Sequence, residues 1–350
     1  MSSHSRIRFL FKLHSYTGLI TGIALLLIGI SGSILVFSRD LNQLIYEDIL
    51  EVEPAGTRIT LDSGFHLIQS HFPEMNYITY DGLPQDERSA FEFFMMKDGV
   101  QYKAFINPYT GELLHHGKRY DYWMDWLLLF HYTFTIHVWG EFAAAIFSLT
   151  LIVSIITGAI VYRKYLVKVF TFKVGFRFKN WRTTSSSLHR IVGVWSLVFH
   201  VVIAFTAFWM LRHTFTADHF ASAPYVATNA PPLQFSIDRK LQEISTTYPE
   251  FHPQFLTLPE NEGTPAYFYG HTQGVSFFFA NYYDEIQATR DSITSNFLHE
   301  RSAREKFESM MYPVHAGLYG SLLVKIIYCL GGLTPALLSI TGFILWWRRS

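Results

Sequence analysis

Apolar residues are concentrated in four long segments of the chain rather than spread evenly along it. The segments are residues 13–37, 142–162, 191–211 and 322–347. Each has about 20 residues or more, enough for a helix to cross the ~30 Å hydrocarbon layer of a membrane. Charged side chains are absent from the first three segments, and Lys325 lies near one end of the fourth, where its stem can reach the interface. The pattern predicts four transmembrane helices.

The two long connections, after the first and third segments, have the polar and apolar alternation of small α+β domains. In the first connection, apolar spacing predicts a helix over residues 61–71 and strands over 77–80, 91–96 and 102–106. The turn Asn107-Pro108-Tyr109-Thr110-Gly111-Glu112 then leads to a further strand from Leu113. In the second connection, the pattern predicts a helix over 235–248 and strands over 254–258, 266–269 and 275–281.

A histidine and a Ser/Thr-small pair recur at fixed spacing in both halves of the chain, which indicates an internal two-fold repeat. The interval from His131 to Thr157-Gly158 equals the interval from His315 to Thr341-Gly342. The shorter interval from His14 to Ser31-Gly32 equals that from His189 to Thr206-Ala207. The repeat therefore places histidines at matching ends of matching apolar helices.

Basic residues determine the predicted orientation, because cytoplasmic loops of membrane proteins carry an excess of lysine and arginine. They precede the first segment, fill the short connection between the second and third segments, and follow the fourth: Arg6, Arg8, Lys12, Arg163, Lys164, Lys168, Lys173, Arg177, Lys179, Arg182, Arg190, Arg348 and Arg349. The N-terminus, the short connection and the C-terminus are therefore predicted to be cytoplasmic, and both long connections external. The formal net charge of zero gives no indication of a nucleic-acid partner. The four apolar segments make membrane lipid an expected partner.

These observations predict an all-α bundle of four transmembrane helices with two α+β extracytoplasmic domains and an internal two-fold repeat. The expected divisions are a first transmembrane helix over 1–38, an outer domain over 39–130, a second helix over 131–164, a cytoplasmic loop over 165–188, a third helix over 189–212, a second outer domain over 213–314, and a fourth helix over 315–350.

Several kinds of chemistry are not expected from this sequence. Cys329 is the single cysteine, so disulfides, thiolate metal sites and covalent haem attachment through C-x-x-C-H are excluded. The sequence has no G-x-G-x-x-G after a predicted strand, no phosphate-binding loop and no H-E-x-x-H. The predicted cytoplasmic stretches are too short for a flavin or NAD domain.

The motifs together resemble the PepSY-associated transmembrane family over nearly the whole chain. The resemblance rests on the 107–112 turn, Leu13-His14-x3-Gly18, Leu188-His189-Arg190-x2-Gly193-x-Trp195, His315-x-Gly317-x2-Gly320 and the Thr-Gly helix ends. It implies PepSY-like outer domains in the periplasm, a location in the bacterial inner membrane, and similarity to ferric-siderophore reductases that carry two non-covalent b-type haems. The chain departs from the family pattern at Ala207, where many relatives have glycine, and at 282–285, where a degraded form of the 107–112 turn is expected.

Four histidines are the expected ligands of these haems. A closed bis-imidazole site needs two histidines at one depth on different helices. Distance from the basic residues places His14 and His189 near the cytoplasmic face and His131 and His315 near the outer face, which nominates the pairs His14/His189 and His131/His315. Gly18, Gly193 and Gly317 beside them are expected to admit a flat macrocycle. His200 and His137 are alternative ligands to His315 and His131, and the ordinary alternative for all of them is a helix-capping role.

Two further questions stay open at the level of sequence. A straight helix from His131 or His315 to the cytoplasmic face is longer than the hydrocarbon layer, so these helices either extend outward or break near Gly140 and Gly320. His115, His116, His213 and His219 lie in or beside the outer connections. They are expected to be exposed loop residues, unless some of them line an outer substrate site.

The expected function is a dihaem electron conduit, an oxidoreductase that reduces ferric siderophores on the periplasmic side and releases Fe(II). The electron donor is expected to be a membrane quinol or a separate cytoplasmic reductase. The alternative is a haem-free membrane protein whose PepSY domains bind or regulate a peptidase or another cell-envelope partner.

Overall fold

A computed structural model describes residues 3–221, 230–272 and 284–347, which form two compact units. The membrane unit comprises Met1–Ser38, Leu127–Ala221 and Met311–Ser350, and the sheet unit comprises Arg39–Trp126 and Ser222–Met310. The helices are, in chain order, α1 (Ser3–Leu35), α2 (Ser38–Ile45), α3 (Glu47–Leu50), α4 (Leu61–His71), α5 (Trp123–Thr133), α6 (His137–Tyr162), α7 (Leu166–Phe170), α8 (Trp181–Trp195), α9 (Leu197–Leu211), α10 (Ala217–Ala221), α11 (Ile237–Thr247), α12 (Ala303–Ala316) and α13 (Leu322–Trp347). The strands are β1 (Tyr77–Gly82), β2 (Phe91–Lys97), β3 (Val100–Ile106), β4 (Leu113–Lys118), β5 (Phe251–Thr257), β6 (Ala266–Thr272), β7 (Asp284–Ala288) and β8 (Ile293–Asn296).

Within the described residues, 4 helices are long and apolar enough to cross a membrane, which confirms the four predicted spans. They cover Ser5–Leu35, His137–Tyr162, Leu197–Phe215 and Leu322–Trp347. The third apolar segment is divided between α8 and α9 at Ser196, whose φ and ψ are −84° and −1°. The backbone N–H and the hydroxyl of Ser196 both donate to the carbonyl of Val192. Arg348 and Arg349 lie outside the described residues.

Two of the helical segments break, as one of the two sequence alternatives predicted. Between α5 and α6 the break holds Phe134, Thr135 and His137 at positive φ (50°, 62° and 48°), a conformation that side chains with a Cβ rarely adopt. A Cβ on Gly140 would lie 1.5 Å from the carbonyl oxygen of Thr133, so only glycine allows the turn to fold back onto α6.

The matching break between α12 and α13 uses glycines instead. Gly317 and Gly320 have φ of 68° and 72°. A Cβ on Gly317 would lie 2.7 Å from the Tyr328 ring. Gly317 therefore serves the turn and the close packing of Tyr328, and the expectation that it admits a flat macrocycle is wrong.

In the membrane unit, α1 packs against both α13 and α6, α8 packs against α13, and α6 packs against α9. Small residues let α1 and α13 approach closely, as is usual for helices in lipid. A Cβ on Gly29 would lie 2.7 Å from the carbonyl oxygen of Gly332. The Ser33 hydroxyl at this crossing donates to the carbonyl of Gly29 and lies within hydrogen-bonding distance of the carbonyl of Cys329.

The sheet unit contains two four-stranded antiparallel sheets with the orders β1-β2-β3-β4 and β5-β6-β7-β8. Helices α4 and α11 and both sheets contribute buried side chains to one hydrophobic core, including Ile68 and Phe93 from the first connection and Ile244 and Phe268 from the second. The two predicted outer domains therefore share a core, which the sequence pattern did not predict. The predicted helices and strands of the first connection are all present.

Two aspartates join the halves of the sheet unit by reciprocal contacts. The carboxylate of Asp238 accepts from the backbone N–H groups of Leu61 and Asp62 at the start of α4 (3.1 and 2.9 Å). In return, the carboxylate of Asp62 accepts from the backbone N–H of Ile237 at the start of α11 (2.7 Å) and from the Ser236 hydroxyl. Each helix start thus receives an anion from the other half, which satisfies free N–H groups.

The expected turn at 282–285 is wrong for the residues that the structure describes there. Asp284 is buried at the start of β7, where it accepts from the N–H groups of Thr272 and Leu298 (2.8 and 2.6 Å). The strands β7 and β8 are joined instead by residues 289–292. The strand expected over 275–281 lies outside the described residues. Alternating apolar residues, not the Asp-Glu pair, determine the position of β7.

The buried ammonium group of Lys103, on the first sheet, forms ion pairs with three carboxylates. Lys103 Nζ lies 2.9 Å from Asp81, 2.9 Å from Glu92 and 3.2 Å from Asp125, while Arg119 also contacts Asp125. Burial pushes the pKa of Asp81 up, but Lys103 and Arg119 outweigh burial and hold that pKa below its usual range. Burial and the neighbouring Asp81 raise the pKa of Glu92 despite Lys103. Of Asp81 and Glu92, Glu92 is therefore the carboxylate whose charge the fold tolerates less.

Candidate functional site: two pairs of histidines

The structure brings His14 and His189 together, from α1 and α8. Their ring centroids are 6.1 Å apart and the rings are inclined at 81°. Both rings are half-buried, so each keeps surface that a bound group can cover. We call this arrangement the lower pair.

His131 of α5 and His315 of α12 form a second arrangement, the upper pair. Their ring centroids are 6.3 Å apart with an interplanar angle of 54°. The helix breaks after α5 and α12 follow these histidines closely, so each ring stands on a short helix that precedes a membrane-spanning one. The structure thus places the four sequence-nominated histidines in the two nominated pairs.

Each histidine is anchored through Nδ1 by the Ser/Thr-small motif of another helix. Nδ1 lies 3.0 Å from the hydroxyl oxygen of Ser31 for His131, of Thr206 for His315 and of Thr341 for His189. For His14, Nδ1 lies 3.0 Å from the carbonyl oxygen of Ser154 and 3.4 Å from the hydroxyl of Thr157. The sequence marked these hydroxyl residues only as repeat positions and did not predict that they contact the histidines.

The hydrogen-bond network around the anchors favours one tautomer of each ring. The hydroxyls of Ser31, Thr157, Thr206 and Thr341 each donate their one proton to a carbonyl of the preceding helical turn, at 2.7 to 2.8 Å. The hydroxyl oxygen can then only accept from the ring, so Nδ1 carries the hydrogen. Nε2 is left with its lone pair free in all four histidines. A second ring nitrogen held in this way is the usual feature of histidines that bind a metal.

The small residue of each motif makes room for the ring. A Cβ on Gly32 would lie 2.8 Å from Cε1 of His131, and on Gly158 it would lie 3.1 Å from Cε1 of His14. On Gly342 the distance to Cε1 of His189 would be 3.3 Å. The fourth motif has Ala207, so a methyl group is tolerated at that position. Glycine is therefore required most strictly beside His131.

Along α1 the two pairs are well separated. His14 belongs to the lower pair, and Ser31, which contacts the upper pair, lies seventeen positions further along the same helix. At ~1.5 Å per residue this interval is about 25 Å, close to the ~30 Å thickness of the hydrocarbon layer. The pairs thus lie near opposite ends of the bundle.

The alternative ligands are placed differently from the four paired histidines. His200 is buried, and its Nε2 lies 2.7 Å from the Thr334 hydroxyl. That hydroxyl donates to the carbonyl of Gly331, so Nε2 of His200 is the donor in this arrangement, and ligation through it would require its proton to move to Nδ1. His137 is exposed at the first position of α6. In the sheet unit, His115 and His116 are exposed on β4, with rings against Tyr122 and Phe72.

The spacing of the paired rings fits a group that holds a metal ion between two imidazoles. An imidazole nitrogen bonds a metal at about 2 Å and stands roughly 1 Å from its ring centre, so two rings on opposite sides of one ion have centroids about 6 Å apart. The observed 6.1 and 6.3 Å match that spacing. A Cβ on Gly18, one turn after His14, would meet no atom within 4 Å, so the lower pair has open space beside it. On Gly193, one turn after His189, it would make only an ordinary contact with Leu338.

The fold and the paired histidines define a membrane protein with two pairs of neighbouring histidines in a helical bundle and a separate α+β unit of two antiparallel sheets. A family model described as the PepSY-associated TM region matches residues 11–349. The chain therefore belongs to the PepSY-associated transmembrane family, as its motifs predicted. No curated protein matches the chain.

Proposed function

We propose that this protein is a membrane electron conduit that binds two b-type haems, one between each histidine pair, and reduces ferric siderophores outside the cytoplasm. The observation that carries the proposal is the anchoring and pairing of the four histidine rings. All four have Nδ1 anchored, Nε2 free and a partner ring at the spacing of a shared ion. In this proposal the chain lies in the bacterial inner membrane with the sheet unit in the periplasm.

The four histidines would hold the iron, and the residues that anchor their rings would orient them. Nε2 of each histidine would bind the iron, and the Ser/Thr hydroxyl on the neighbouring helix would prevent the ring from rotating away. Two imidazoles on one iron leave no open position, which favours electron transfer over oxygen binding. Haem, when bound, supplies reversible one-electron chemistry whose potential depends on these ligands and on burial.

The proposed acceptor is consistent with one-electron chemistry. Siderophores hold Fe(III) through hard oxygen ligands, which bind Fe(II) much more weakly, so one electron loosens the chelate. A membrane quinol supplies two electrons and releases two protons, and therefore reduces two ferric ions. A separate cytoplasmic reductase is the other proposed donor. Reduction outside the cytoplasm would leave Fe(II) ready for uptake.

The first experiment is an absorption spectrum of the purified protein, oxidised and dithionite-reduced, with a haem count by pyridine haemochrome. We expect two b haems per chain with the sharp reduced bands of low-spin iron. H131A and H315A should each remove the same haem, and H14A and H189A the other. H200A is the matched control and should retain both.

Two outcomes would contradict the proposal. Protein made with ample haem that shows no Soret band would favour the haem-free alternative, in which the sheet unit binds a cell-envelope partner. Loss of haem in H200A, with retention in H315A, would mean that the assigned upper pair is wrong.

The acceptor is tested separately by adding a ferric trihydroxamate to the reduced protein and trapping Fe(II) with a ferrous chelator. The reduced bands should disappear as the trapped Fe(II) appears.

A further inference from the structure

Three side chains of types that can ligate a metal ion lie together in the membrane unit, apart from the two histidine pairs. Glu141 belongs to α6, His213 to the 3-10 turn after α9, and His219 to α10. One ligand atom from each residue lies within 4.8 Å of the others. Nε2 of His213 is 3.7 Å and Nε2 of His219 is 3.9 Å from the same carboxylate oxygen of Glu141.

The local fold holds these three side chains in place. Phe142, the neighbour of Glu141, has its ring 5.4 Å from the ring of Phe215 and from that of Phe220, which follow His213 and His219 in the chain. Thr216 caps the turn, since its hydroxyl and its N–H both donate to the carbonyl of His213. The aromatic contacts thus fix the segment that carries the histidines against the turn of α6 that carries the carboxylate.

The ring environments suit ligation. Nδ1 of His213 donates to the carbonyl of Met210 at 3.1 Å, which leaves Nε2 with a free lone pair on the side of Glu141. His219 is buried, and its Nε2 donates to the carbonyl of Val138 at 3.0 Å. Binding of an ion through this Nε2 requires its proton to move to Nδ1, after which the Val138 carbonyl is an additional oxygen donor beside the site. His213 is 57% exposed, so an ion can enter from solution.

We propose that Glu141, His213 and His219 form a binding site for a divalent first-row transition cation. Two imidazoles and one carboxylate, with open positions, are a ligand set that suits Fe²⁺ and its neighbours, whereas Mg²⁺ and Ca²⁺ prefer oxygen ligands alone. The site lies close to the upper pair, because Thr206, the anchor of His315, precedes His213 by seven positions, or about 10 Å along the helix.

The identity of the natural ion rests on the proposed function. If ferric chelates are reduced at this end of the bundle, the released Fe(II) would first be bound by these three residues. The binding of a divalent cation itself depends only on the three side chains. The two parts can therefore be tested separately.

The test is equilibrium dialysis of the full-length protein, as purified in detergent, against Co²⁺ as an air-stable substitute for Fe²⁺. We expect one tightly held equivalent per chain, and E141Q and H219A should each weaken its binding at least tenfold. The matched controls are H115A and H116A, which remove exposed histidines from the sheet unit and should leave the binding unchanged. A hundredfold excess of Mg²⁺ should not displace the ion.

The opposite results would overturn the site. Co²⁺ binding that is equal in wild type, E141Q and H219A would do so, as would displacement by Mg²⁺. If H219A does not fold, the near-isosteric E141Q and the exposed H213A carry the comparison. Haem content, measured in the same samples, separates the two proposals, since loss of the cation site should leave the Soret band unchanged. If protein made with ample haem binds the cation but contains no haem, only the reductase proposal is refuted.

Discussion

A graded series of glycine-to-alanine substitutions beside the histidines tests the paired sites most directly. Carbon atoms pack best at about 3.5 Å, so a methyl group at Gly32, 2.8 Å from Cε1 of His131, requires the ring to withdraw by about 0.7 Å. The same calculation requires about 0.4 Å for Gly158 and about 0.2 Å for Gly342, from distances of 3.1 and 3.3 Å.

The expected effect follows from the position of the displaced atom. Cε1 is bonded to Nε2, so its displacement moves the free nitrogen, and metal–ligand distances in well-formed sites hold to within about 0.2 Å. We therefore expect G32A to weaken haem binding at the upper pair by roughly 10- to 100-fold, the range found when ligand positioning is lost. G158A should have an intermediate effect at the lower pair, and G342A should resemble wild type.

The assay is the haem count per chain after a standard wash with a haem-binding competitor, together with the reduced spectrum. G22A is the control, because a methyl group at this position of α1 makes only an ordinary contact, 3.7 Å from Cβ of Ser339, and brings the same gain in helix propensity. The reasoning would be refuted if G32A kept its full haem content, or if G22A lost as much as G32A. The natural alanine at position 207 shows that one methyl group is acceptable at the fourth motif.

Three further predictions concern other parts of the structure. The native pKa of Asp81 is lowered, so the ionised Asp81 stabilises the fold above its unfolded pKa of about 3.9, and this stabilisation is lost as the pH falls through the native pKa. The native pKa of Glu92 is raised, so ionisation of Glu92 above about pH 4.3 weakens the fold. Thermal unfolding at pH 7 should therefore show D81N less stable than wild type and E92Q at least as stable, and equal losses in both would contradict this. D62A should lower stability by about 1 kcal/mol, roughly 2–4 °C in Tm, because α11 loses its capping carboxylate, and an unchanged Tm would show that the contact contributes nothing. T341V should weaken haem retention at the lower pair about tenfold at unchanged Tm, because Nδ1 of His189 loses the hydroxyl oxygen that accepts its hydrogen bond. Full haem retention after the competitor wash would contradict the anchoring role of Thr341.

Spacing in the sequence was sufficient to nominate the paired histidines. Helix periodicity places residues at a calculable depth, and basic residues mark one end of each span, so His14 and His189 could be assigned to one level and His131 and His315 to the other. Periodicity could not say where the long helices break, because the break depends on the backbone of Thr133 folding against Gly140 and on Tyr328 packing over Gly317.

Contacts between distant segments account for what spacing did not reveal. The Ser/Thr-small motifs were visible as repeat markers, but only helix packing shows that Ser31 of α1 anchors His131 of α5 and that Thr341 of α13 anchors His189 of α8. Helix packing likewise shows that the ring of His315 lies near His131.

The sequence by itself determined the four spans, the α+β character of both connections and the histidines in question, because hydrophobic period, turn chemistry and charge asymmetry are local properties of the chain. Only the tertiary structure decided that both connections share one core, which nitrogen of each histidine is free, and that Glu141 meets His213 and His219. These features arise from side chains that are far apart in the chain and meet only when the helices and sheets pack, so no local pattern encodes them.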